Sequence, residues 1–358
     1  MQLLELRIDH LRNILAAKLE PDTHLNLIYG KNGSGKTTLL EAVYLIATAK
    51  SFRSQQHRHL VHHDHSELTL FARVNQQQQR HQIGIAKSSQ GTRLHIDGDT
   101  VQSNAELARL FACQLINQNS FQLIDAGPKQ RRRFMDWGLF HVEPTFYELW
   151  KRYFHILKQR NSLLKQNKQA IAFSAWNEQL SLVAQQIDGL RNTYIEQFMP
   201  IFNEIYPLLG AQAGVTIEYA SGWDTDQSLK ATLEADFQQD SRKGFTRSGP
   251  HRADIQIKLN RHAAEQALSR GQQKILVAAL QLAQARHFYL HSKQHCVLLI
   301  DDLAAELDTD HQAAFMQVLS SIGGQVFMTA TDADQAIMKH WDSKKVFHVE
   351  HGNVKEVI

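Results

Sequence analysis

Residues 30–37 read Gly30-Lys31-Asn32-Gly33-Ser34-Gly35-Lys36-Thr37 and fit the pattern G-x-x-x-x-G-K-[ST]. No other stretch limits the possible folds so strongly. The apolar run 25–29 leads into it, and residues 37–49, carrying Leu39, Leu40, Val43, Leu45 and Ile46, lead out. The first has the character of a buried strand and the second of a mostly buried helix. Between them, glycines let backbone N–H groups approach a polyphosphate closely. The helix that follows aims its positive end at the anion. Lys36 is then placed for the β- and γ-phosphates, and the Thr37 hydroxyl for Mg²⁺, with Thr38 beside it in the first turn. The bland alternative is a glycine-rich turn with a neighbouring lysine, which requires neither the strand before nor the helix after.

Far downstream, Val297-Leu298-Leu299-Ile300-Asp301-Asp302 is an apolar strand ending in two carboxylates. Such a strand delivers a carboxylate to the metal site at the end of a parallel sheet. Asp301 is the candidate metal holder, and Asp302 the group that orients or deprotonates the attacking water. Many buried strands end in aspartate, so this signal gains its weight from the phosphate loop. Before it lies Leu268-Ser269-Arg270-Gly271-Gln272-Gln273-Lys274, opening the helix expected at 272–290. Ser269 suits an ordinary helix N-cap. The functional alternative is a second anion site made by Ser269, Gly271, Gln272 and the helix end. It lies too close to the carboxylate strand in sequence to serve its own phosphate loop, and so would clasp the γ-phosphate of a nucleotide on a second subunit.

The chain has 358 residues, room for about two domains. With 43% hydrophobic and 21% charged residues it can bury a core and is not a disordered polyelectrolyte. A net charge of +3 excludes a histone-like polycation but allows a local basic patch. Two cysteines, Cys113 and Cys296, exclude a disulfide framework and a cysteine-rich zinc module. The N-terminus has no apolar secretory core, and no run reaches 18 apolar residues, so a soluble, reducing compartment is expected. Strands are expected at 3–8 (Leu4, Leu6 and Ile8 inward), 68–74, 82–86 and 92–96, with turns at 76–79 and at Asp97-Gly98. A helix is expected over 101–113. From about 141 to 239 glycines are few, and helices are expected at 145–167, 173–199 and 227–240, with a short strand at 215–219. The longest candidate is under 30 residues, which excludes a coiled-coil rod. Strands return at 254–259. The expected architecture is an α/β head with a mixed sheet and an antiparallel β subdomain, assembled from 1–120 and 245–358, with a mainly helical arm inserted at 121–244.

The order of these motifs, continued by Ala305-Glu306-Leu307-Asp308 as a D-loop, resembles an ABC-type ATPase head. More closely, the chain resembles the RecF family, bacterial recombination mediators related to SMC heads. The strings that carry this are Leu11-Arg12-Asn13, Lys50-Ser51-Phe52-Arg53, Gly127-Pro128-Lys129 with Arg131 to Trp137, and Ser248-Gly249-Pro250-His251-Arg252-Ala253-Asp254. The resemblance spans essentially the whole chain. It implies ATP and Mg²⁺ as ligands, ATP-dependent homodimerisation and slow hydrolysis. It also implies binding to duplex DNA and single-strand/duplex junctions without sequence preference. RecR and RecO are the implied partners in loading recombinase at gaps, with links to replication forks and the SOS response. The implied location is the cytoplasm, at the nucleoid. Three positions depart from the ABC pattern. Asp302 stands where glutamate is usual, Arg270 where the signature has its second glycine, and Thr329 or Thr331 near the place of the switch histidine. The Q-loop glutamine, a further metal-site candidate, is Gln118 first and Gln114 second.

Lys129, Arg131, Arg132 and Arg133 are the densest basic cluster, suited either to DNA phosphates or to a link between head and arm. His57, His59, His62, His63 and His65 could suggest metal binding, but they have no cysteine partners and no regular ligand spacing and are read as a solvated loop. Trp137, Trp150 and Trp176 are read as packing residues. Two other functions stay open on the motifs alone: a nucleotide-gated scaffold that barely hydrolyses ATP, and a transport-coupling ATPase docked on a permease.

Overall fold

The computed structural model describes residues 1–54, 56–166, 169–211, 213–302, 307–333 and 335–358. It divides into two compact units. The first comprises Met1–Phe121, Ile205–Ala211 and Lys274–Ile358, the second Gln122–Glu204 and Gln212–Gln273. The second unit runs past the 245 boundary expected from sequence. The reason is strand pairing: Asp254–Leu259 pairs antiparallel with Val215–Ala220, and His262–Ala263 adds a third strand.

The first unit has two six-stranded sheets. One is an antiparallel run in the order Ile14–Leu19, Gln2–Leu11, Glu67–Gln76, Gln79–Ser88, Gly91–Ile96, Asp99–Val101. Two of its hairpins close at Gln77 and Gln78, and at Asp97 and Gly98, all four with positive φ, as a type I′ turn requires. In the first strand Leu3, Leu6 and Ile8 are fully buried while Leu4 is only partly so. A register shift between Leu3 and Glu5 breaks the simple alternation expected there.

The second sheet has the order Asn353–Glu356, Lys344–Glu350, Leu25–Tyr29, Val326–Ala330, Val297–Ile300, Cys113–Ile116. All its pairs are parallel except the outermost one, Lys344–Glu350 with Asn353–Glu356. Parallel strands covered on both faces should be apolar throughout, and Val297–Ile300 and Val326–Ala330 are buried at every position. The helix Lys36–Thr48 contacts strands of both sheets, which explains why it is buried on nearly all sides rather than along one stripe. In place of the helix expected at 101–113, only Asn104–Leu110 is helical. Ser103 caps it by accepting from the Ala105 N–H at 3.2 Å, and Cys113 already begins an edge strand of the parallel sheet.

The second unit is mainly helical, with Pro128–Val142, Phe146–Lys165 and most of Ser174–Leu208. That last helix has 35 residues, longer than the 27 expected, because it continues through Pro200 and Pro207. A proline inside a helix removes one hydrogen bond. Here Phe198, Ile201, Phe202 and Ile205 are buried around Pro200, and their packing outweighs that loss. The expected helix 227–240 is two short ones, Leu229–Ala235 and Phe237–Lys243, meeting at Asp236. Trp150 stacks on Phe146 and Tyr153 under the Arg191 guanidinium, as packing predicts.

Candidate functional site

The phosphate loop follows Leu25–Tyr29 and opens Lys36–Thr48. Its glycines are required by geometry. Gly30 has φ +151°, and a Cβ there would lie 2.2 Å from the Val349 carbonyl oxygen. Gly35 has φ +122°, and its Cβ would meet the Asn13 amide at 3.0 Å. Lys36 is buried, and its ammonium donates to the carbonyls of Gly30 at 2.6 Å and Lys31 at 3.1 Å. Thr37 Oγ1 donates to Asp301 Oδ1 at 3.0 Å, joining the loop to the carboxylate strand.

Asp301 also accepts from Thr329 Oγ1 at 2.9 Å. Burial raises the Asp301 carboxyl above its ordinary pKa, and these two hydroxyls pull it partly back. Thr329 in turn accepts from the Asp302 backbone N–H at 2.9 Å. Asp302 has φ +56°, a left-handed conformation that aspartate tolerates better than most residues. Thr329 therefore organises both carboxylate residues, while Thr331 is exposed at the strand's far end.

Lys36, Thr37, Thr38, Asp301, Asp302 and Thr329 share one cavity of about 440 Å³ with Asn32, Gly33, Gly35, Arg12, Asn13 and Arg53. The last three were not assigned a role from sequence, although the strings containing them resembled the RecF family. Asn13 Nδ2 donates to the Ser34 carbonyl, and Asn13 Oδ1 accepts from Thr38 Oγ1, each at 3.0 Å. It thus braces the loop from both sides. Arg12 grips the buried Glu41 with two nitrogens, one at 2.8 Å, and Ser51 Oγ also donates to Glu41. The signal was present in the two short strings, but only the fold puts their side chains at the phosphate loop.

Gln118 begins the turn after Cys113–Ile116, whose Ile116 carbonyl accepts the Asp301 N–H at 2.9 Å. It lies at the correct end of the sheet but outside the cavity lining described above. Gln114 is buried and donates to the Gln281 carbonyl at 3.1 Å, a structural role. In the second unit, Ser269 and Gln272 form a reciprocal capping box. Gln272 N–H donates to Ser269 Oγ at 3.3 Å, and Ser269 N–H to Gln272 Oε1 at 2.9 Å. Gly271 lies in the first turn of that helix, Arg270–Ser292. Ala305 and Glu306 of the expected D-loop lie outside the described residues. Asp308 caps the helix Thr309–Ile322.

The basic cluster divides in two. Arg131 pairs bidentately with Asp254 at 2.8 and 2.9 Å, and Arg132 donates to the Ala253 carbonyl at 2.7 Å. Lys129 and Arg133 face solvent. The string 248–254 is likewise built into the second unit. The Pro250 carbonyl accepts from the buried Arg191 at 2.7 Å, and His251 Nδ1 pairs with the Tyr153 hydroxyl at 2.7 Å. Burial first, and nearby guanidinium charges after it, lower the His251 pKa to about 4, so the ring is neutral at physiological pH.

A phosphate loop on a parallel sheet, an aspartate-ended strand beside it, and an antiparallel sheet across the loop's helix define a head of the ABC-type ATPase fold. Residues 2–355 match the family model described as RecF/RecN/SMC N terminal domain. The chain is 39% identical over 362 residues to the DNA replication and repair protein RecF of Pseudomonas aeruginosa (strain LESB58), covering 99% of this chain and 98% of that protein. It is 40% identical over 362 residues to the RecF of Cellvibrio japonicus (strain Ueda107), covering 99% of each. A solved structure of the recombination mediator protein RecF with ATP, described as part of the RecFOR pathway, superposes with a TM-score of 0.86. It is 25% identical and covers 99% of this chain and 97% of that one. The chain belongs to the RecF family. Among the described residues no helix is long and apolar enough to cross a membrane.

Proposed function

We propose that this chain is an ATP-dependent DNA-binding protein of recombinational repair. In this reading two copies close on two ATP molecules and hold duplex DNA near a single-strand junction. Slow hydrolysis then opens the clamp. The observation that carries it is the convergence of Lys36, Thr37, Asp301, Asp302 and Thr329 on one cavity. Family membership supports the repair assignment, RecR and RecO as partners in loading recombinase, and a place in replication-fork maintenance and the SOS response. It gives the transport-coupling alternative no support.

In the proposed site, backbone N–H groups of Gly30 to Thr38 cradle the phosphates and Lys36 neutralises the β- and γ-oxygens. Thr37 and Asp301 already place two hard oxygen donors 3.0 Å apart, the donor chemistry that Mg²⁺ prefers. They would hold the ion, with Gln118 joining from the adjacent strand end, and when bound it offsets charge on the phosphates. Asp302 positions the attacking water, and its shorter side chain suits slow turnover. Ser269, Gly271 and Gln272 contact the γ-phosphate held by the other copy. Lys129 and Arg133 are the members of the basic cluster offered to DNA, with Arg131 and Arg132 supporting them.

The test is binding to fluorescent duplex, single-stranded and gapped DNA at fixed salt, with ATP, ADP or no nucleotide. ATP should tighten binding to duplex-containing substrates and ADP should not. Absence of DNA binding in every nucleotide state would remove the clamp reading. Repeated turnover stimulated by DNA would separate it from a scaffold that barely hydrolyses ATP.

Ser269→Arg probes the shared site. Loss of the N-cap costs about 1 kcal/mol, too little to unfold the unit. ATP binding should stay at the wild-type level while ATP-dependent dimerisation, read by light scattering, disappears. A variant that dimerises normally with ATP sinks the idea that Ser269 completes the partner's site.

A further inference from the structure

Four imidazoles and a carboxylate gather beside the antiparallel sheet, at a place the proposed nucleotide chemistry does not use. His62, His63 and Asp64 each present a ligand atom, and all three atoms lie within 4.8 Å of one another. The His62 and His63 rings stack at 4.3 Å, and His65 meets His62 edge-on at 5.6 Å. His10, from the first strand, lies flat on His65 at 3.5 Å with an interplanar angle of 8°. The sequence reading of a solvated loop rested on irregular spacing within 57–65. Only the fold brings in His10, from some fifty positions earlier.

The loop is held in place by the strand it meets. The His62 N–H donates to the His10 carbonyl at 2.8 Å, and the Arg12 N–H to the Leu60 carbonyl at 2.7 Å. Leu11 and Val61 form a β-bridge between these two bonds, and Leu60 and Val61 are buried. The backbone that leads into the cluster is therefore anchored at residues 60–62, while the His63 and Asp64 side chains remain open to solvent. His63 Nε2 and Asp64 Oδ2 face each other at 3.1 Å, so two donors of different chemistry already converge.

We propose that His62, His63 and Asp64, with the His65 ring packed edge-on against His62 beside them, form a binding site for a divalent transition-metal ion of the zinc class. Two imidazoles with one carboxylate suit Zn²⁺, Co²⁺ and Ni²⁺, which favour nitrogen ligands and accept tetrahedral or open coordination. The same set is poor for Mg²⁺ and Ca²⁺, which take oxygen shells. The site therefore differs in metal preference from Thr37 and Asp301. His10 does not ligate. Its ring fixes the plane of His65, a positioning role of the kind that outer residues play around metal ligands.

The experiment uses the full chain without a histidine tag, stripped by chelator. Zn²⁺ is titrated in competition with a chromophoric chelator, and Co²⁺ is followed by its visible absorption. One equivalent of Zn²⁺ should bind with low-micromolar affinity or tighter, and Co²⁺ should show the intense bands of a four- or five-coordinate site. The double variant His62→Ala/His63→Ala should lose roughly tenfold or more in Zn²⁺ affinity. Asp64→Asn leaves every backbone bond of the loop intact and should also weaken binding. His262→Ala, at an exposed histidine in a different hairpin, should change nothing. Wild-type affinity in the double variant and in Asp64→Asn, or wild-type protein that binds Zn²⁺ no more tightly than the double variant, overturns the site.

Discussion

Lys36→Met is expected to leave a folded chain that no longer retains ATP. The Lys36 ammonium is nearly out of contact with water and held by two loop carbonyls, at 2.6 and 3.1 Å. Its desolvation has therefore been met during folding, and binding needs only a change of partner from carbonyl to phosphate. Each hydrogen bond to a charged group contributes about 1.5–3 kcal/mol. Losing two to the β- and γ-phosphates corresponds to a weakening of about a hundredfold to ten-thousandfold. Methionine keeps the length of the stem, so the helix Lys36–Thr48 stays packed between its sheets. Calorimetric titration with ATP reads the affinity, and a thermal melt reads the fold. Affinity within a few-fold of wild type, in a protein that melts normally, would contradict the assignment of the loop as the phosphate site.

Asp240→Ala should produce the largest loss of stability among the changes considered. Asp240 and Arg160 are both fully buried, and Arg160 Nη1 donates to Asp240 Oδ2 at 2.8 Å. The guanidinium also donates to Asn177 Oδ1 at 2.9 Å, Thr246 Oγ1 at 2.7 Å and the Leu233 carbonyl at 3.3 Å. Four segments of the second unit thus meet on one cation. Asp240 Oδ1 in addition accepts from the Arg247 backbone at 3.2 Å. Removing the carboxylate strands a buried positive charge, at a cost of about 3–5 kcal/mol. The pair itself carries little net stability against an apolar core, because both ions had to leave water. The double change Arg160→Met/Asp240→Leu removes the stranded charge but leaves Asn177 Oδ1, the Leu233 carbonyl and the Arg247 N–H without these partners, so it should recover only part of what Asp240→Ala loses. Denaturant unfolding of the three proteins decides the matter. A loss below about 1 kcal/mol in the single variant would mean the charge is not isolated as described.

The parts of this protein legible in its sequence are those set by local rules. Gly30 to Thr37, the strand Val297–Ile300 and the strand Asp254–Leu259 stand where their patterns put them, because alternation, apolar runs and glycine needs are properties of a few adjacent residues. The less legible parts depend on partners far along the chain. Arg12 and Asn13 acquire roles only once the hairpin turn that carries them meets the phosphate loop and its helix, and Thr329 only once its strand lies beside Val297–Ile300. For Arg131 and Arg132 the sequence leaves DNA phosphates and a structural link equally open, and Asp254 and the Ala253 carbonyl, more than 120 positions later, engage them. The helix expected at 173–199 continues through Pro200, carried by packing. The division of the chain at 245 failed for a related reason. A strand does not declare its neighbour, and Asp254–Leu259 pairs with Val215–Ala220.

The parallel sheet has a consequence for how the protein is made. Leu25–Tyr29 is its central strand, and the side chain of Asn26 bonds to a carbonyl 300 residues further on. At about 5–20 residues per second, a ribosome needs roughly 15–60 s to supply that partner. Throughout this interval a strand of four buried apolar or amide residues, with the helix that follows it, has emerged without its sheet. The inserted unit meets no such delay, since its three strands and its buried Arg160–Asp240 pair all lie between Gln122 and Gln273. Synthesis thus favours an order in which the inserted unit folds before the parallel sheet of the head is complete. The nascent chain with its inserted unit complete and its parallel sheet unfinished is the stage at which chaperone capture and aggregation compete.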